Sequence, residues 1–111
     1  GVNNCIEDSS DSFVFSGVIN HIVGNSFRAG ILAGCRNRLS GVAEDSIVLS
    51  GKCNRISAGG RQAIITGFRN CIQGGSNEST IAGGRCNFIC NASYRNFIGG
   101  GLENQIERSE C

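Results

Sequence analysis

Apolar and polar positions alternate along the chain in two short bursts that return together every 16 or 17 residues. The first burst follows the pattern Gly-x-x-Asn-x-Ile/Leu and puts an aliphatic at Ile6, Ile22, Leu39, Ile56, Ile72, Ile89 and Ile106. The second puts one three residues before each following glycine, at Val14, Ile31, Val48, Ile64, Ile81 and Ile98. Between the bursts lie Gly, Ser, Asn and Ala, residues that favour turns. A repeat of this length is too short for paired helices, which need roughly 33 residues or more. It suits one coil of a flat solenoid with two short strands and two corners. The pattern therefore predicts an all-β fold, a parallel β-roll or β-solenoid with 16–17-residue coils. Residues 1–111 form one repeat domain of six full coils and a partial seventh. Successive coils stack about 4.8 Å apart, and each backbone group pairs with the rung above or below.

Two polar columns accompany the aliphatic ones. The glycines are Gly1, Gly17, Gly34, Gly51, Gly67, Gly84 and Gly101, and the asparagines are Asn4, Asn20, Asn37, Asn54, Asn70, Asn87 and Asn104. Glycine fits a corner where a side chain would clash. Asparagine tolerates left-handed backbone, and its stacked amides are expected to bond rung to rung as a structural ladder. The thirteen aliphatics of the two bursts are the expected core.

Strand alternation sorts the outward positions. The first strand turns out two columns, Cys5, His21, Arg38, Arg55, Cys71, Phe88, Gln105 and Glu7, Val23, Ser40, Ser57, Gln73, Cys90, Glu107, which read as a mostly solvated face. The second strand is apolar on both sides, as in Phe13-Val14-Phe15, Ile47-Val48-Leu49 and Ala63-Ile64-Ile65. Doubly buried strands read this way. Phe13, Phe15, Leu32, Ile47, Leu49, Ile65 and Phe97 would form a continuous stripe on a lone chain, and such stripes mark partner surfaces. The expected partner is another copy of the chain. Three copies around an axis parallel to the solenoid bury every stripe at once.

These coils, best seen in Ser79-Thr80-Ile81-Ala82-Gly83-Gly84 with Asn87 and Ile89, resemble the head repeats of trimeric autotransporter adhesins, and related repeats of phage and large-virus fibre proteins. The resemblance implies a left-handed parallel β-roll trimer at a cell or virion surface. It also implies an extracellular location and a host or glycan surface as a further partner. Asn-x-Ile-x-Gly is also similar to the Asn-x-Val-x-Gly repeats of grass ice-recrystallisation inhibitors. An ice-binding face, however, is flat and threonine-rich, and only Thr66 and Thr80 occupy the relevant columns.

Composition narrows the chemistry. Ten basic and nine acidic residues leave a net charge of +1, so no overall field recruits nucleic acid or an anionic membrane. No apolar run reaches the roughly 18–20 residues of a membrane helix. His21 is the lone histidine, and no Ser-His-Asp or Cys-His arrangement can be assembled around it. The pairs Gly59-Gly60, Gly74-Gly75 and Gly83-Gly84 lack the Gly-Lys-Ser/Thr of a phosphate loop. A solenoid carbohydrate lyase would need longer coils and a catalytic cluster of charges. No enzyme activity and no cofactor is expected.

Seven cysteines are candidates for disulfides: Cys5, Cys35, Cys53, Cys71, Cys86, Cys90 and Cys111. An odd number leaves at least one free or joined between chains. Cys35 and Cys53 fall one column apart on adjacent rungs, and Cys5 and Cys111 lie at opposite ends, where they could join different subunits. Zinc would require paired Cys-x-x-Cys ligands, which are absent.

Arg36, Arg38, Lys52, Arg55, Arg69 and Arg85 fall in the first-strand region of the middle coils and form a candidate basic belt for an acidic glycan. A solvated face interrupted by Glu44 and Asp45 is the competing expectation. Acidic residues gather toward the ends, with Glu7, Asp8 and Asp11 at one and Glu103, Glu107 and Glu110 at the other. Asn77-Glu78-Ser79 and Asn91-Ala92-Ser93 satisfy the glycosylation pattern. The chain starts on a motif glycine and stops within a coil, as expected of a shaft fragment or of a subunit that pairs head-to-tail into a filament. The expectation is a structural or adhesive subunit of a surface fibre or filament.

Overall fold

The computed structural model describes residues 1–90 and 94–107, which wind into a parallel β-solenoid of about six turns. Its short strands, numbered in chain order, alternate between two sheets. One holds β1 (Cys5–Glu7), β3 (His21–Val23), β5 (Arg38–Glu44), β7 (Arg55–Gly60), β9 (Cys71–Gln73), β11 (Phe88–Cys90) and β13 (Gln105–Glu107). The other holds β2 (Phe13–Val14), β4 (Gly30–Ile31), β6 (Ile47–Val48), β8 (Ala63–Ile64), β10 (Thr80–Ile81) and β12 (Phe97–Ile98). The result is a flat slab of 44 × 25 × 14 Å.

Both aliphatic columns stand in register through their sheets, Ile6 to Ile106 in one and Val14 to Ile98 in the other. They face each other across the slab as its core. Ile22, Ile31, Leu39, Val48, Ile56, Ile64, Ile72, Ile81 and Ile89 are fully buried, Ile98 is nearly so, and Val14 and Ile106 pack against them. Ile6 departs from the expectation: it is 43% exposed, because the first rung is covered on one side only.

The Gly-x-x-Asn corner has a fixed backbone recipe. Its glycines lie at positive φ, +100° at Gly51 for example, and a Cβ there would collide with the Gly67 carbonyl on the next rung and with Asn54 Nδ2. The left-handed residue is not the asparagine, as expected from its tolerance, but the one before it. Asn3, Ile19, Arg36, Cys53, Arg69, Cys86 and Glu103 all have φ between 55° and 58°. This kink turns the following N–H of the asparagine away from the ladder, and the asparagine of the preceding rung meets it. Thus Asn37 N–H donates to Asn20 Oδ1, and Asn54 N–H to Asn37 Oδ1, each at 3.0 Å. The ladder therefore runs from side chain to backbone and not from amide to amide. Asn104 alone also sends its Nδ2 to a neighbouring side chain, Asn87 Oδ1, at 3.1 Å.

Coil length varies at the other corner. Ser40 pairs with Ser57, but Ala43 pairs with Gly59, so the register shifts by one residue between β5 and β7. Gly41 and Val42 there oppose a single residue, a β-bulge that absorbs the shorter 16-residue coil.

Candidate interaction surfaces

Three surfaces of the slab differ in chemistry. The outward face of the six-stranded sheet is apolar. One of its columns is Phe13, Gly30, Ile47, Ala63, Thr80 and Phe97. The next follows the backbone bonds through Phe15, Leu32, Leu49, Ile65 and Ala82. Phe15 is 79% exposed and Phe97 65%, and Phe13, Leu32 and Ile65 are exposed as well. Ile47 and Leu49, expected among the exposed stripe, are half-buried, because neighbours in the middle of the sheet flank them on both sides. Phe13 and Phe15 meet edge to face at 6.3 Å. With Leu32 and Ala33 they line an almost wholly apolar hollow of about 440 Å³. The Phe13 ring lies over Gly30, where a Cβ would strike it, so glycine on one rung makes room for the aromatic of the last.

The Gly-x-x-Asn edge is basic. Its bridged column reads Val2, Val18, Cys35, Lys52, Phe68, Arg85 and Leu102, and its left-handed column contains Arg36 and Arg69. Arg38 and Arg55 stand beside it, directly paired on adjacent strands β5 and β7. All six cations are exposed. None of them forms an ion pair among the described residues. The Arg69 and Arg85 guanidiniums lie over the Phe68 ring, 5.0 and 5.6 Å from its centre.

Glu44 and Asp45 do not interrupt this belt, contrary to the sequence expectation. The corner between the two strands carries them to the opposite edge of the slab. Asp11, Arg28, Asp45, Arg61, Glu78 and Arg95 repeat there as left-handed corner residues of successive coils, and their charges alternate in sign along the solenoid. Arg28 bonds Glu44 and Asp45, each at 2.8 Å, while Glu78 bridges Arg61 at 3.1 Å and Arg95 at 3.0 Å. The 16–17-residue spacing of these six residues is present in the sequence, but it lies outside the Gly-x-x-Asn frame. Tyr94, 62% exposed, and Asn77 share an open groove with Glu44, Asp45, Arg61, Glu78 and Arg95.

The remaining candidates are dispersed. Cys5, Cys35, Cys53, Cys71, Cys86 and Cys90 form no disulfide among the described residues, and Cys111 lies outside the described residues, as does Glu110. Burial pushes the Cys71 thiol up, the Arg55 charge opposes this, and Cys90 reinforces it. Cys90 and Ser40, assigned to a solvated face, are buried. His21 stands between Cys5 and Arg38 in its column. No group of three His, Cys, Asp or Glu suited to a metal ion occurs among the described residues. Asn77 Oδ1 accepts the Gly60 N–H at 2.8 Å, and Ser79 is buried, which gives the first glycosylation pattern a structural use. The second, at Asn91, lies outside the described residues. Neither the models of known protein families nor the curated proteins include a match to this chain.

Proposed function

We propose that the chain is a self-associating structural subunit of a surface fibre or filament, with an adhesive role. In this reading the apolar face of the six-stranded sheet is the subunit interface. The observation that carries it is the exposure of Phe13, Phe15, Leu32, Ile65 and Phe97 on the outward face of one sheet. Full burial of such a side chain contributes about 1.5–3 kcal/mol; Phe15 and Phe97 forgo most of this in water, and the less exposed Phe13, Leu32 and Ile65 forgo a part. A face of this kind is covered in every copy when subunits close around an axis parallel to the solenoid. The resemblance to adhesin heads supports a trimer, left-handed winding and an extracellular, cell-surface or virion-surface setting. The rung ladders supply stiffness, and the corners and edges are the surfaces left for adhesion.

Light scattering and electron microscopy on one sample, with and without reductant, test this reading. Discrete trimers, or rods built from them, are expected. Phe15→Ser with Leu32→Ser should give monomers that keep the β-sheet circular dichroism of the parent. A wild-type chain that is monomeric in both conditions would overturn it.

A further inference from the structure

We propose that the Gly-x-x-Asn edge of coils three to six is a docking track for a linear sulfated polysaccharide lying along the solenoid axis. Six cations converge there: Arg36 and Arg38 from the third coil, Lys52 and Arg55 from the fourth, Arg69 from the fifth and Arg85 from the sixth. With rungs about 4.8 Å apart, they fall within a strip about 15 Å long. No acidic residue occupies the two corner columns of these coils. The ion pairs among the described residues are all on the opposite edge.

This segregation has a cost that a ligand would relieve. Like charges directly opposite in a sheet are destabilising, and Arg38 and Arg55 are paired in that way. The opposite edge shows that the same fold can place compensating charges rung by rung. An anionic chain laid along the basic edge would supply the compensation from outside.

The edge is also partly ordered in advance. Arg36 and Arg69 leave the backbone at left-handed positions with φ of 56°. Phe68 holds the guanidiniums of Arg69 and Arg85 against its ring, which lowers the entropy lost on binding. Guanidinium forks match the paired oxygens of sulfate and carboxylate groups. A single-stranded nucleic acid carries anions too, but such strands bind through open aromatic platforms for their bases. Of the rings along this edge, Phe68 is already covered by guanidiniums, and Phe88, in the column of Arg38 and Arg55, is half-buried. The observations therefore favour the polysaccharide.

The track and the apolar face lie on different sides of the coil, so polysaccharide binding and self-association succeed or fail separately. The test measures binding of a fluorescent heparin oligosaccharide to the full chain, with poly(dT) as the competing polyanion. Affinity for heparin should exceed that for poly(dT) and fall steeply between about 50 and about 200 mM salt. Arg36→Gln with Arg69→Gln and Arg85→Gln should weaken binding by about tenfold or more. Arg28→Gln with Arg61→Gln and Arg95→Gln removes the same charge from the other edge and should leave binding within about twofold. A readout independent of variants is acylation of Lys52, the single lysine, which heparin should protect. Equal loss in the two triple variants, equal or tighter binding of poly(dT), or an unprotected Lys52 would overturn the proposal.

Discussion

Asn37 Oδ1 accepts the backbone N–H of Asn54, one rung further along, at 3.0 Å. The same asparagine sends its Nδ2 forward to the Gly51 carbonyl at 3.0 Å and back to the Ala33 carbonyl at 3.2 Å. One side chain thus closes its own corner and ties it to the next coil. Asn20, Asn54, Asn70 and Asn87 repeat the arrangement, and all are fully buried.

Asn54→Ala should therefore be costly. It strands the Asn70 N–H and the Ser50 carbonyl, both bonded only by this side chain in the corner. Buried groups left unpaired cost about 1–3 kcal/mol each, so a loss of about 2–5 kcal/mol is expected in urea unfolding. Asn54→Asp keeps the acceptor but turns a charged oxygen toward two carbonyls, and should be at least as damaging. An aspartate variant as stable as the parent would show that the directional bonds do not matter.

Ile19 offers a change in the other direction. It is a β-branched residue held at φ 57°, in the column otherwise filled by Asn3, Arg36, Cys53, Arg69, Cys86 and Glu103. The left-handed region costs L-residues roughly 1–2 kcal/mol, and asparagine suffers least among those with side chains. Ile19 is only half-buried, so the packing it loses offsets part of this gain. Ile19→Asn should raise the stability by about 0.5–1 kcal/mol, read as a higher Tm by circular dichroism.

On the opposite edge, Glu78 joins Arg61 and Arg95 across three coils. The arginines are more than two-thirds exposed, and solvent-exposed pairs contribute only about 0–1 kcal/mol. Glu78→Gln should shift stability by less than about 1 kcal/mol and should lose even that effect in high salt. Glu78→Lys places three cations in a row, and its destabilisation should shrink as salt is raised. A salt-independent effect would show that packing against Tyr94 and the groove matters more than charge.

Much of this fold is legible because a stacked solenoid converts sequence spacing directly into register. Once Ile22 and Leu39 are 17 residues apart in matching motifs, backbone pairing leaves them no other neighbour. Both core columns and the phenylalanine stripe follow from that spacing. The corner between the strands is different. Its length changes by one residue at Gly41-Val42, so counting from the nearest glycine gives no stable frame there. Spacing alone therefore sets Glu44 and Asp45 near the basic residues, whereas they stand on the opposite edge. The asparagine ladder illustrates another limit. Spacing identifies which residues stack, but not which of their atoms bond, because the kink at the preceding residue decides where the N–H points.

Cys71 links one outward column to pH. Burial raises its thiol above the ordinary value of 9.0, with Arg55 pulling the other way. A raised folded-state value means that the neutral thiol is the form the fold prefers. Below the unfolded value both states keep the proton, and stability does not depend on this group. Above it, the unfolded chain releases the proton first, so stability falls as pH rises through the window between the two values. Urea titrations from neutral to alkaline pH should show this decline, and Cys71→Ser should reduce it, leaving the part that belongs to Cys90, whose thiol is also pushed up by burial. In the same window Cys71 should react with iodoacetamide more slowly than the exposed Cys5. If Cys71 reacts at the faster rate, or if the serine variant keeps the full alkaline slope, the loss of stability comes from other groups.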